Sequence, residues 1–254
     1  MNQDRLKIAA IFSLFVITIS ACKKDKSDIP SDITVLTYNI AGLPDLVSNS
    51  TPSVHTPIIS GLINEYDIVH VQEDFEFHDS LLLHNKHPYK TETMGATTVG
   101  DGLNTFSNYP IKNLKRIKWN DCADFDCYTP KGFTYSQIEI ADGILIDVYN
   151  MHANAQSYEE ALEARRRNIV QLYNYINEHS AGKAIILMGD FNCRYTRLGD
   201  TISIMLDLGL KDSWIEFVRG GSVPAKDGNS LSGCDNIMPR TSPNCEKVDK
   251  IFYR

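Results

Sequence analysis

An α+β fold, a four-layer α/β sandwich with two packed mixed β-sheets flanked by helices, is what this sequence predicts, and three observations carry the prediction. Four apolar, β-branched runs, ITVLTY, DIVHVQ, ILIDVYNM and AIILMG, have the length and composition of buried strands. Asp142-Gly143 stands between FTYSQIEI and ILIDVYN, a two-residue hairpin signal, so antiparallel pairing is present. Helical segments are interleaved with hairpins instead of alternating strictly with strands, which favours sheets inside and helices outside. With 254 residues, 43% of them hydrophobic, the chain can bury one large core without a second domain.

Taken in order, residues 1–21 read as a secretory signal: Arg5 and Lys7, an apolar run from Ile8 to Ile19, then Ser20-Ala21-Cys22. The run falls short of the roughly 20 apolar residues that span a bilayer. Ile19-Ser20-Ala21-Cys22 resembles a bacterial lipobox, which makes Cys22 the expected lipidated residue and residues 22–32 a charged tether; an ordinary cleaved signal is the alternative. The folded domain is expected over 33–254. A helix is expected over His55 to Glu65, opening with Pro57 near its first turn. A longer one is expected from Ser157, with Glu160 completing a capping box, to near Gly182; its stripe is Leu162, Ile169, Leu172 and Ile176. Arg165, Arg166 and Arg167 read as the solvated face of that helix, with phosphate contact as the alternative. Ile202 to Leu208 reads as a short helix, and 219–246 as a long Gly-, Pro- and Ser-rich loop.

The formal charge is −7, and removing residues 1–21 with Asp4, Arg5 and Lys7 makes it one unit more negative. That weighs against a tight, sequence-independent nucleic-acid binder, which needs a basic face; Lys115, Arg116, Lys118, Arg194 and Arg197 are the candidates for local positive charge. Export suits the cysteines. Cys122 and Cys127 lie in one polar loop and Cys234 and Cys245 bracket another, so two local disulfides are expected, with Cys193 left over; neither pair has zinc-knuckle spacing or a completing set of histidines.

Each predicted strand ends in a polar residue suited to a metal or a phosphate. Asn39 follows the first, Glu73 the second, His152 the third, and Asp190 with Asn192 the fourth. Glu73 offers the hard carboxylate oxygen that Mg²⁺ accepts beside water and substrate oxygen. In Gly189-Asp-Phe-Asn a carboxylate and a carboxamide stand two residues apart, on one side of an extended segment, able to deprotonate water and donate to a phosphoryl oxygen. His152 and Asn154 repeat that spacing. Each motif alone has a bland reading as a turn, cap or rim residue.

Together, LTYNIAGLP, VHVQEDF, GDGLNTFSNYPI, VYNMHANA, MGDFN and VDKIFY resemble the successive motifs of the endonuclease/exonuclease/phosphatase superfamily, across roughly Ile33 to Tyr253. The resemblance implies Asn39 and Glu73 at a metal site, Mg²⁺ with Mn²⁺ as a substitute, and His152, Asp190 and Asp249 as catalytic residues. Asn192 is implied to hold the phosphate; Asn154, by its spacing from His152, and Arg197, by its charge, are further substrate-binding candidates. It also implies a Ser-Asp-His ending beyond Asp249. The sequence stops at Arg254 before one, so a C-terminally truncated form of the domain is expected, in part because the last strand would otherwise lie at a bare sheet edge.

Three functions follow as expectations. The first is a monomeric phosphoesterase anchored in the bacterial cell envelope, facing periplasm or exterior, held at a membrane through its lipid, and acting on a phospholipid head group or soluble phosphoester. The second is a secreted nuclease on extracellular DNA or RNA. The third is a non-catalytic envelope binding protein. Specificity is expected in the loops 92–106, 120–132 and 219–246.

Overall fold

The computed structural model describes residues 29–94, 100–231 and 242–254. Residues 1–21, Cys22, most of the tether and Cys234 lie outside the described residues. Strands β1 (Val35–Asn39), β2 (Ile68–Gln72), β3 (Tyr89–Lys90) and β4 (Asn104–Ser107) form one sheet in the order β1-β2-β4-β3. The second sheet contains β5 (Ile111–Lys118), β6 (Gly132–Ala141), β7 (Ile144–His152), β8 (Ile185–Asp190), β9 (Lys211–Asp212) and β10 (Asp249–Tyr253), ordered β5-β6-β7-β8-β10-β9. β6 and β7 pair as the expected hairpin, and β7 runs parallel to β8 across a crossover. Both sheets are mixed, and helices flank them, as predicted. Among the described residues no helix is long and apolar enough to cross a membrane.

Side-chain alternation along the strands builds the layers. Ile68, Ile138, Val148 and Met188 meet between the sheets. Val69 and Val71 pack with Leu81 and Phe106 in the outer core beside helices α1 (Pro52–Leu62) and α2 (His78–Leu82). Tyr149, Leu187 and Phe252 join Ile169, Leu172 and Ile176 of α3 (Glu159–His179), which verifies the predicted stripe from Ile169 onward. Two short helices, α4 (Ile204–Asp207) and α5 (Ser213–Val218), complete that flank.

Four local expectations are corrected. α1 opens at Pro52, whose missing N–H belongs at a first turn, so Pro57 lies inside the helix. α3 has no capping box: Tyr158 is its N-cap residue and makes no side-chain cap bond, so Ser157 stands one position too early. Arg165 is no solvated residue. It is buried against Asp200, Nη2 to Oδ1 at 3.0 Å, and its Nη1 donates to the carbonyl oxygens of Asn154, Ala155 and Gln156. β10 does not lie at a sheet edge, because β9 pairs along its outer side. Of the two expected disulfides, Cys122–Cys127 is present. Cys245 is disulfide-bonded, and Cys193 is a buried free thiol.

Candidate active site

The strand directions bring the polar residues to one place. β1 and β2 run parallel and end together, with Asn39 opposite Gln72; β7 and β8 also run parallel and end with His152 opposite Asp190. β10 starts antiparallel at the same level, placing Asp249 opposite Asp190. Residues 35, 37 and 39, or 148, 150 and 152, share a face by the two-residue period. The faces that carry Val35, Val148 and Met188 into the inter-sheet core therefore carry Asn39, His152 and Asp190 to its rim.

Beneath the rim, a polar layer closes the apolar core. Gln72 Nε2 donates to Asn150 Oδ1 at 2.8 Å, and Asn150 Nδ2 donates to the carbonyls of Val71 and Asn104 at 3.0 Å each. These bonds join the two sheets where the site begins, and satisfaction of every buried amide makes such a layer stiff.

At the rim, Asn39 Nδ2 donates to Glu73 Oε1 at 2.8 Å and to Asp190 Oδ2 at 3.1 Å, while its Oδ1 accepts from the Ala41 N–H. That backbone donor sets the amide's orientation, so Asn39 faces the site nitrogen-first and aligns two carboxylates. Glu73 lies just past β2 at φ 56°, an uncommon conformation for a residue with a side chain. Its carbonyl is held by the Gly42 and Phe75 N–H groups, and Asp74 N donates to Gly102 O. Gly102 has φ 68°, and a Cβ there would stand 2.6 Å from the Phe75 ring, so only glycine fits behind Glu73. Strain of this kind, over-determined by its surroundings, is common at functional sites.

His152 is buried 3.6 Å from Asp190 Oδ2 and 3.9 Å from Glu73 Oε1, measured from Nε2. Its backbone carbonyl accepts from Trp119 Nε1 at 2.7 Å. The ring's closest polar contact is Lys131, whose Nζ lies 3.2 Å from Nε2 and 2.6 Å from Asp126 Oδ1. An ammonium only donates, so Nε2 is the acceptor and the imidazole is neutral with its proton on Nδ1. Burial, then the Lys131 charge, holds His152 well below the usual imidazole range. Burial raises the Asp190 carboxyl against opposing bonds from Asn39 and the Asn192 N–H. Asp249 keeps part of its surface in solvent, yet its carboxyl is pushed up to about 6, first by lost hydration and then by the Asp190 charge.

The remaining expected residues stand behind these. Asn192, at φ 50°, donates Nδ2 to Ala153 O at 3.1 Å. Arg197 donates to Asn192 O and pairs with Asp200 at 3.0 Å, which makes it a brace for the Asn192 loop. Asn154 accepts from Ala123 N and donates to Ala155 O, tying the Cys122–Cys127 loop to the end of β7. Arg116 was counted toward local positive charge; it is spent on both Asp101 oxygens at 2.7 Å. Lys131 and Asp126 were missed. Lone charged residues in a polar loop carry no period that would have singled them out.

The donor set decides which cation suits the rim. Glu73, Asp190 and Asp249 bring three carboxyls, while Lys131 is already paired with Asp126. Among the described residues no group of three or more His, Cys, Asp or Glu side chains is arranged to hold a metal ion by itself. One or two carboxylates with the remaining positions left to water and substrate oxygen is the arrangement Mg²⁺ takes, so the residues fit that ion.

A two-sheet α+β sandwich with carboxylate, amide and imidazole groups converging on one strand-end rim defines the class. The chain belongs to the endonuclease/exonuclease/phosphatase family 2, which residues 37–233 match. It is 35% identical over 251 residues to a sphingomyelinase of Mycobacterium tuberculosis, covering 94% of this chain and 48% of that protein. The chain thus spans about half the length of the curated relatives it matches. Its fold is similar to sphingomyelinase C from Streptomyces griseocarneus, with TM-score 0.64, 22% identity and coverage of 87% of this chain and 83% of that one. It is also similar to a beta toxin mutant from Staphylococcus aureus with bound magnesium ions, with TM-score 0.55, 21% identity and coverage of 64% and 66%.

Proposed function

We propose that this chain is a divalent-metal-dependent phosphodiesterase that hydrolyses a phospholipid head-group diester of the sphingomyelin kind, in an envelope protein tethered through Cys22. The observation that carries the reading is the convergence of Asn39, Glu73, Lys131, His152 and Asp190 within a few ångströms, in a chain 35% identical to a sphingomyelinase.

Glu73 would hold Mg²⁺, or Mn²⁺ in its place, with Asn39 fixing the carboxylate. When bound, the ion supplies charge neutralisation at the phosphoryl group and a water of lowered pKa. Asp190, whose proton affinity is raised by burial, takes the proton from the attacking water as general base. Lys131, aimed by Asp126 and His152, places a positive charge where negative charge develops on the phosphoryl oxygens. Asn192 spends one amide hydrogen on Ala153 and has a second for a phosphoryl oxygen. Asp249 adds a carboxyl beside Asp190 at the rim. Nucleic acid is a weaker substrate choice, because Arg116, Arg165, Arg166 and Arg167 are all paired with carboxylates and the chain is acidic overall.

The test is hydrolysis of sphingomyelin, plasmid DNA and a chromogenic phosphodiester with and without Mg²⁺. The expected result is sphingomyelin turnover that stops in chelator and falls at least about 10³-fold in Glu73→Gln and Asp190→Asn. Turnover that ignores chelator, or survives both substitutions, overturns the reading.

A further inference from the structure

Two exposed apolar tips lie on segments that lead out of the candidate site. The segment after β1 leads directly from Asn39 into Leu46 and Val47, which are 98% and 68% exposed. On the other side, the 3₁₀ turn Asp124–Tyr128 presents Phe125 and Tyr128, 78% and 80% exposed, with ring centroids 6.2 Å apart. The two tips are joined through the site itself. Asn39 contacts Asp190, Asp190 lies 3.6 Å from His152, His152 contacts Lys131, and Lys131 pairs with Asp126, which sits between the two aromatic residues.

The apolar surface continues along α1. Val54, Ile58 and Leu62, spaced by four, share one helix face, and all three are exposed. Ile58 and Leu62 also line a groove of about 330 Å³ that reaches Asn39 and Ala41. An apolar helix face with no partner among the described residues is unusual on a water-facing surface. Residues 40–63 contain one charged side chain, Asp45, and no lysine or arginine. The opposite tip is no more basic: residues 120–130 carry Asp121, Asp124 and Asp126 and no lysine or arginine. Anionic lipids and nucleic acid both attract basic residues, so neither matches this rim. Exposed aliphatic and aromatic groups with no basic residue match an electrically neutral interface.

We propose that Leu46, Val47, Phe125, Tyr128 and the Val54-Ile58-Leu62 face of α1 form a docking surface for a zwitterionic phospholipid bilayer, seating the site mouth on the membrane. This rests on the phosphodiesterase reading for its purpose, since a head-group phosphate must be reached at the bilayer surface. The contact itself stands on the exposed side chains. The Cys122–Cys127 disulfide gives the aromatic tip a defined shape before it meets lipid, so ordering it on contact costs little.

The full chain carries an environment-sensitive fluorophore at Leu46→Cys, Phe125→Cys or, as a control, Phe217→Cys. Phe217 is equally exposed but stacks on Tyr253, at the far end of β10 from the site. With phosphatidylcholine vesicles the probes at 46 and 125 are expected to shift to the blue and brighten, while the probe at 217 stays unchanged. Because the readout is local, a hydrophobic N-terminus that holds the chain on vesicles cannot by itself produce it. The variant Leu46→Ser/Val47→Ser/Phe125→Ser/Tyr128→Ser is expected to lose about tenfold or more in rate on vesicle sphingomyelin, with its rate on a soluble chromogenic diester unchanged. Probes at 46 and 125 that remain in water while the protein hydrolyses vesicle sphingomyelin overturn the docking surface and leave the phosphodiesterase reading intact. Blue-shifted probes in a protein that hydrolyses neither diester support the surface and sink the phosphodiesterase reading. A blue shift that appears with protein concentration and needs no vesicles assigns the face to a second copy of the chain and overturns the lipid assignment.

Discussion

The two halves of the rim are built from the same device, a pair of parallel strands ending side by side, yet they finish differently. On β7 and β8 the register partners His152 and Asp190 are both site residues, both in the strand, and both buried. On β1 and β2 the partner of Asn39 is Gln72, which turns inward to Asn150, and the carboxylate comes one residue later from Glu73 through a left-handed backbone. The β7–β8 half is buried and crowded by Lys131 and Trp119; the Glu73 side chain keeps an opening to solvent. One half is fit for handling a proton, where burial raises a carboxyl's affinity, and the other for a hydrated cation. A regular strand end provides rigidity, and a strained turn provides reach.

That contrast can be broken by substitution. The largest effect is expected at Asp190→Asn, a loss of at least about 10³-fold in kcat that added Mg²⁺ does not restore, against Glu73→Gln, where raising Mg²⁺ recovers part of the rate. Equal responses to metal would erase the distinction between the halves. Lys131→Met is expected to cost about 10²-fold in kcat with little change in melting temperature, measured on the chromogenic diester beside thermal unfolding.

Gly102→Ala sharpens the comparison from the strained side. The added Cβ meets Phe75 in a left-handed conformation, so a loss of about 2 kcal/mol in denaturant stability is expected, with a larger fall in activity than in fold. A smaller loss, also near 2 kcal/mol at most for so short a loop, is expected from replacing Cys122 and Cys127 together by alanine. Activity should again suffer more than melting, because Asp126 lies within the closed loop.

An effect seen only as pH falls tests the residues under the rim. His70 on β2 is buried between the sheets, and burial lowers its pKa to about 3. The unfolded chain binds that proton near pH 6.5 and the folded chain does not. The stability is therefore complete above about 6.5 and is lost as pH falls toward 3, by up to about 1.4 kcal/mol per unit. His70→Gln should flatten the fall in melting temperature between pH 7 and 5; an unchanged slope would place the acid sensitivity elsewhere.

Much of this was legible beforehand because strands have a period of two and a length. ITVLTY, DIVHVQ, ILIDVYNM and AIILMG announced themselves, and the residue after each was the residue that reached the rim. Helix boundaries were less legible: Ser157 with Glu160 had the letters of a capping box, but the chain begins α3 two residues past that serine. Arg165 looked like its neighbours Arg166 and Arg167, and only tertiary packing against Asp200 made it a buried residue. Lys131 and Asp126 carried no signal, since their importance comes from contacts with His152 and Ala155, 21 and 29 residues further along the chain.

The sequence by itself determined which segments would be strands and which polar groups would follow them, because alternation and apolar content are local properties of the chain. Strand pairing and direction decided the rest. Parallel pairing of β1 with β2 and of β7 with β8, and the antiparallel start of β10, put five ends at one level. The orientation of the Asn39 amide, the neutral state of His152 and the presence of Lys131 depend on neighbours distant in the chain, and only packing in three dimensions supplies those neighbours.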